Sequence, residues 1–132
     1  MKRLTVIVAV ILIAGLLSGC WLFPESKLDY IEANPKEVTL YFSPTKLSST
    51  ENKTTQQLEV TAYYTDENKA DVTLECDYTT LTVSNTEVVT VNDEGLITAK
   101  SKGNTIVLVS YTEGNYWAGR ITRTDEVKVL VK

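Results

Sequence analysis

The chain has 132 residues, 43% of them apolar and 23% charged, with a formal net charge of −4, no histidine and two cysteines. An acidic chain without a long basic run is a poor match to a nucleic-acid backbone, so no nucleic-acid partner is expected. With no histidine as a general base and no paired cysteines for zinc, the commonest catalytic and metal chemistries have no carriers.

The first segment reads as an address. Met1-Lys2-Arg3 is positive, Leu4 to Leu17 is almost unbroken hydrocarbon, and Leu17-Ser18-Gly19-Cys20 follows. A charged start, an apolar run and a small-residue exit form the layout of a secretory signal peptide. Its last four residues resemble the lipobox of bacterial lipoproteins. Ser18 and Gly19 are small enough to admit a peptidase beside the Gly19–Cys20 bond. Leu17 offers that cleft an apolar anchor, and Cys20 has the only nearby side chain able to form a thioether to diacylglycerol.

The resemblance implies cleavage before Cys20 and two or three acyl chains, palmitate among them, on the new N-terminus. The protein would then sit on a bacterial membrane, facing away from the cytoplasm. A single chain holds only marginally, at about 0.8 kcal/mol per buried methylene, so several are needed for a durable anchor. Trp21, rather than aspartate, follows the cysteine, which the resemblance ties to the outer membrane or cell surface. Removing 19 of 132 residues leaves 113, and losing Lys2 and Arg3 takes the net charge from −4 to −6. That length suits one domain with a real core. The alternative is an uncleaved membrane helix. Leu4 to Leu17 is shorter than the roughly 20 apolar residues a span needs, and extending it to Phe23 would keep Lys2 and Arg3 inside.

Residues 20–36 read as the lipidated cysteine and a tether broken by Pro24 and Pro35, and residues 37–132 as the domain. Val38, Leu40 and Phe42 alternate with polar neighbours, the period-two signature of a half-buried strand. Residues 43 to 57 form a long polar connection. Leu58, Val60, Ala62 and Tyr64 alternate again, and Asp66-Glu67-Asn68-Lys69 makes a turn. Val72 to Tyr78 and Leu81 to Val83 are short strands, with Ser84-Asn85-Thr86 as a second turn. Val88 to Val91 and Leu96 to Ala99 form a hairpin in which Gly95 takes positive φ. Gly103 opens the strand from Ile106 to Tyr111. A loop from Thr112 to Gly119 leads to the last strand, which ends Val127-Lys128-Val129-Leu130-Val131. Short Val-, Thr- and Tyr-rich strands at this spacing argue for an all-β antiparallel sandwich.

Several stretches resemble a bacterial immunoglobulin-like domain of group 2. They are Leu58 to Asp66, Asp71-Val72-Thr73, Ser84 to Val91, Gly95-Leu96-Ile97-Thr98-Ala99-Lys100 and Gly103-Asn104-Thr105-Ile106-Val107. The resemblance spans about Val38 to Lys132 and implies an immunoglobulin-like β-sandwich with no catalytic residues. Members often have glycine where Glu67-Asn68 stands, and tryptophan about where Leu81 stands. They occur as repeats or spacers in surface proteins and adhesins, whereas one copy is present here.

Candidate sites are few. Tyr116 and Trp117 lie in the loop before the last strand, a usual place for recognition, where exposed aromatics could stack on a sugar or fill a partner's pocket. Tryptophan's high average burial favours instead a Trp117 that folds back to cap the core. Arg120 and Arg123 are read as sharing one strand face, able to meet an acidic partner or merely solvated beside acidic neighbours. Asp66, Asn68 and Asp71 suggest calcium, but an EF-hand loop would need a ligand at Ala70 and glycine at Asp71. Turn formation is the simpler account, and no metal or other cofactor is expected. Asn52-Lys53-Thr54 matches a glycosylation sequon that a bacterial lipoprotein has little reason to use. With Cys20 taken by lipid, Cys76 has no intrachain partner and reads as a buried small hydrophobe.

The expectation is a non-enzymatic cell-envelope lipoprotein. It is held to a membrane through Cys20 and displays one immunoglobulin-like domain for cell adhesion or protein–protein contact. The alternatives are a carbohydrate-binding module that meets a surface glycan through Tyr116 and Trp117, and a structural subunit of an envelope or secretion complex.

Overall fold

The computed structural model describes residues 25–42, 53–82 and 86–132. The Leu4 to Leu17 run, the cleavage pair Gly19 and Cys20, most of the polar connection with Asn52, and Ser84-Asn85 lie outside the described residues.

The described residues form ten strands and one short 3-10 turn at Thr73–Glu75. The strands are β1 (Leu28–Asn34), β2 (Glu37–Leu40), β3 (Thr55–Gln57), β4 (Glu59–Tyr64), β5 (Lys69–Asp71), β6 (Asp77–Leu81), β7 (Val89–Val91), β8 (Leu96–Ala99), β9 (Gly103–Asn115) and β10 (Gly119–Val131). Alternation decides which way each faces. In β9, Thr105, Val107, Val109 and Tyr111 point inward, and in β10 Val127, Val129 and Val131 meet them.

One layer has the order β2-β10-β9-β6, and the other is made of β1-β4-β5 and β3-β8-β7. The two three-stranded pieces meet at Leu58, which is fully buried and donates its N–H to the Gly95 carbonyl at 2.9 Å. Thus β3 and β4 act as one bent strand that pairs with β8 at one end and β1 at the other. β2 lies parallel to β10, and the other described pairings are antiparallel. The described residues form an all-β sandwich of mainly antiparallel sheets. Leu28, Ile31, Val60 and Ile97 from one layer pack with Leu40, Val107, Val109 and Val127 from the other in one core. Each such side chain contributes about 1.5–3 kcal/mol by leaving water.

Several local expectations change, the simplest being that the stretch read as a polar connection ends in a strand, β3 at Thr55–Gln57, paired with β8. The segment read as a tether contains β1, whose Leu28, Ile31 and Ala33 are buried against β4. Its inward residues, three and then two apart, hide the alternation because the register with β4 shifts between Leu28 and Tyr30. The chain then changes layers at the cis Asn34–Pro35 bond and continues as β2 beside β10. Val72 to Tyr78 is not one continuous strand: only Asp77 and Tyr78 belong to β6. Thr73–Glu75 make a 3-10 turn because the Asp71 carboxylate accepts both the Thr73 N–H and its hydroxyl, at 3.0 and 2.6 Å.

Leu81 does not replace a core aromatic. It pairs with Ile106 on the outer face of β6 and is 42% exposed. The aromatic that β6 turns inward is Tyr78. It sits over Gly95 and donates its hydroxyl to the Thr73 carbonyl at 2.7 Å. Finally, Thr112 to Gly119 is mostly strand: β9 runs to Asn115 and β10 starts at Gly119, leaving Tyr116, Trp117 and Ala118 as the turn.

Candidate functional site

β6 pairs with β9 only as far as Ser110, whereas β9 and β10 stay paired to Asn115 and Gly119. The two long strands therefore project past their own sheet as a ribbon. Hydrogen bonds prop it from below: Tyr64 donates its hydroxyl to the Glu113 carboxylate at 3.2 Å, and the Arg123 guanidinium donates to the Asp29 carbonyl. Burial, then the neighbouring Tyr111 and Glu113, push the Tyr64 phenol well above its ordinary pKa, so it stays a neutral donor. Across the ribbon the Thr112 and Thr122 hydroxyls bond at 2.8 Å.

Asn115 shapes the tip. Its side-chain oxygen accepts the N–H groups of Trp117 at 3.0 Å and Ala118 at 2.8 Å, folding the three turn residues over one side chain. Gly114 and Gly119 flank it at φ 96° and 89°, where a side chain is strained. At Gly114 a Cβ would also stand 2.2 Å from the Gly119 carbonyl oxygen.

Tyr116 and Trp117 project from this turn, 86% and 92% exposed. Trp117 does not cap the core. The strands run four residues beyond Tyr111 and carry the turn away from it, while Leu28 and Tyr111 are buried at that end with Ile121 packed against the core. The two rings meet edge to face, with centroids 5.6 Å apart and planes at 87°. They form a wedge, not a flat platform.

Arg120 and Arg123 do not share a face. Three residues apart on a strand, they point to opposite sides, Arg120 opposite Gly114 and Arg123 opposite Tyr111. Arg123 is engaged with β1, so the pair is not a joint acidic-partner site.

The lead-in to β1 runs at the same end of the molecule. Thr65 donates its N–H to the Lys27 carbonyl at 2.9 Å, and Lys27 returns its own to the Thr65 hydroxyl at 3.1 Å. Between lead-in and ribbon lies a surface cleft of about 340 Å³, with Ser26, Lys27 and Leu28 on one side and Gly114, Gly119 and Ile121 on the other. Sequence reasoning missed this neighbourhood, because no local pattern joins residues so far apart in the chain.

Asp66, Asn68 and Asp71 serve the backbone. Asp66 accepts from the Asn68 N–H at 3.2 Å and its amide at 2.7 Å, whereas Asp71 turns to Thr73. Desolvation pushes the Asp66 carboxyl up, but hydrogen bonds from Ser26 and Asn68 outweigh it and hold it below its ordinary value. Cys76 is buried, and burial, with Asp77 and Glu75 nearby, pushes its thiol up to about 11.

On the outer face of the β2-β10-β9-β6 sheet, Leu81, Ile106, Leu108 and Leu130 leave aliphatic surface in solvent. A shallow groove of about 430 Å³ runs there between Thr39, Ile106 and Leu130. Its signal was in the sequence, since Ile106-Val107-Leu108-Val109 is continuously apolar where a half-buried strand would alternate.

No family model matches this chain, and no curated protein matches it either. The likeness to group 2 bacterial immunoglobulin-like domains therefore rests on the quoted residues.

Proposed function

We propose that this is a bacterial envelope lipoprotein, anchored through lipid on Cys20, that holds an immunoglobulin-like sandwich against a membrane for adhesion or protein contact. One observation carries the reading: Leu17-Ser18-Gly19-Cys20 closes a charged-then-apolar leader, and the first strand begins at Leu28, seven residues beyond Trp21. The chain between anchor and domain is too short for a free-ranging stalk. The domain's task is set close to the surface that carries it.

Contact is favoured over catalysis because the prominent exposed features are apolar, the outer row of Leu81, Ile106, Leu108 and Leu130 and the aromatic tip. Exposed apolar patches commonly mark interaction surfaces. The carbohydrate alternative draws less support, since Tyr116 and Trp117 at 87° do not present one plane to a sugar ring. Metabolic labelling with palmitate tests the anchor. The wild-type chain should take up label and lose its leader, and Cys20→Ala should do neither; equal labelling of both removes the proposal. A photo-crosslinking residue in place of Leu130 tests the contact. One stoichiometric adduct in cells supports it, and no adduct counts against that face.

A further inference from the structure

The aromatic tip and the point where the chain leaves for its anchor occupy the same end of the sandwich. Ser26 to Leu28 and the ribbon residues Gly114, Gly119 and Ile121 line one cleft, and Tyr116 and Trp117 stand just beyond it. Five residues carry the chain from Glu25 to Cys20. Fully extended they reach about 17 Å at most. β10 runs from the tip to Val131 over 13 residues, about 40 Å of strand, so the opposite end of the sheet lies well outside that reach. A lipid on Cys20 thus confines this end, and not the other, to the neighbourhood of the bilayer surface.

We propose that Tyr116 and Trp117 are a second membrane contact, inserted into the headgroup interface beside the lipid anchor. The inference rests on the anchor reading above and deepens it: the sandwich is seated on the membrane by its tip. Tyrosine and tryptophan are the side chains that favour this layer, having an apolar ring and a polar edge. The tip is also prepared for partial loss of water, because Asn115 already satisfies the N–H groups of Trp117 and Ala118. An edge-to-face wedge can enter between headgroups without needing a shaped pocket.

Charge permits the contact but does not drive it. Glu25 and Glu113 are matched around the cleft by Lys27 and Arg120, while the Asp66-Glu67 turn at the same end adds acidity. Attraction to anionic lipid would be weak. The tip should therefore seat about equally on zwitterionic and mildly anionic bilayers.

Trp21 and Trp117 are the two tryptophans of the chain, so Trp21→Phe leaves Trp117 as the sole reporter. The lipidated full-length Trp21→Phe protein would be reconstituted into phosphatidylethanolamine–phosphatidylglycerol vesicles, with and without brominated acyl chains. The expected result is Trp117 emission shifted to the blue relative to N-acetyltryptophanamide in buffer, the fully water-exposed reference. It should also be quenched by brominated lipid and protected from acrylamide. Emission that stays at the water-exposed position, unquenched by bromine, in a protein that carries palmitate overturns the inference alone and leaves the tip to a protein partner. A chain that takes up no palmitate overturns the anchor reading and this inference with it. A Tyr116→Ala version that loses part of the blue shift adds support, because the tyrosine holds the indole edge-on.

Discussion

The Asp125 carboxylate accepts the backbone N–H of Ala33 at 2.7 Å, and the Lys36 ammonium closes on the same oxygen. Asp125 stands on β10, while Ala33 and Lys36 flank the point where the first strand leaves one layer for the other. One side chain thus holds that crossing in place. Burial alone would raise the Asp125 carboxyl, but the bonds from Ala33, Lys36 and the Glu126 N–H outweigh it and keep it below the usual carboxylate range.

The sign follows from that depression. An unfolded aspartate titrates near about 3.9, so the extra stability is complete above that pH and is lost as pH falls through the lower folded value. Asp125→Ala leaves the Ala33 N–H without its acceptor, at a cost of about 1–3 kcal/mol. Asp125→Asn keeps an acceptor but not the charge. Urea unfolding should show a gap between wild type and Asp125→Asn that is constant from about pH 7 to 5 and shrinks below about pH 4. A gap that is the same at pH 2 and pH 7 would mean that the charge is not what holds the crossing.

Ile31 tests whether β1 belongs to the domain. It is 5% exposed and packs in the common core. Truncating a buried isoleucine to alanine typically costs about 2–5 kcal/mol. For a domain of this size that lowers the thermal midpoint by at least about 8 °C. In a tether the same change costs nothing, so an unchanged midpoint on Ile31→Ala would return residues 28–34 to the linker.

The sandwich was legible because most of it rests on two local signals. Strict alternation marks β2 and β4, and the Gly95 and Gly103 positions punctuate β8 and β9, with φ of 78° and 149°. β1 was hidden by a register shift, and the ribbon by composition. Thr112, Glu113, Gly114 and Asn115 are polar or small, yet they pair because the partner strand continues opposite them. The exposure of Trp117 was not legible at all. Only the length of the projecting ribbon, a tertiary property, decides whether that turn reaches back to the core. The Ala33–Asp125 bond spans 92 residues and leaves no trace in any window.

Cys76 should be chemically quiet. Its thiol is buried and pushed up to about 11. At pH 8 this leaves roughly a hundredfold less thiolate than an ordinary cysteine carries, and the thiolate is the reactive species. In Cys20→Ser protein, which leaves Cys76 as the sole thiol, a thiol-exchange reagent should react slowly until urea unfolds the chain and at an ordinary rate thereafter. Fast reaction of the folded protein would show that the site opens readily.

Gly114 and Gly119 separate two costs of the same substitution. Both have positive φ, so alanine is strained at each. At Gly119 nothing stands within 4 Å of a new Cβ, whereas at Gly114 the Gly119 carbonyl oxygen is 2.2 Å away. Gly119→Ala should cost about 1 kcal/mol, and Gly114→Ala distinctly more, since the turn itself must open. Hydrogen exchange at Trp117 and Ala118 reports the difference: protection by the Asn115 oxygen should survive in Gly119→Ala and vanish in Gly114→Ala. Equal loss in both would place the constraint in φ alone.

Glu67 makes the converse case. It holds φ 66° in the turn between β4 and β5, a left-handed conformation that costs a residue with a Cβ about 1–2 kcal/mol. Its side chain is solvent-exposed and its N–H donates to the Tyr64 carbonyl at 3.0 Å, a bond that glycine keeps. Group 2 bacterial immunoglobulin-like domains, which the sequence resembles, often carry glycine here, so the resemblance and the backbone point to the same substitution. Removing the Cβ relieves strain in the folded state, while the freer unfolded chain takes back part of the gain. Glu67→Gly should therefore raise stability by about 0.5–1 kcal/mol, read as a higher urea midpoint with an unchanged slope. A lower midpoint would mean that the glutamate contributes something in the native turn that outweighs its strained backbone.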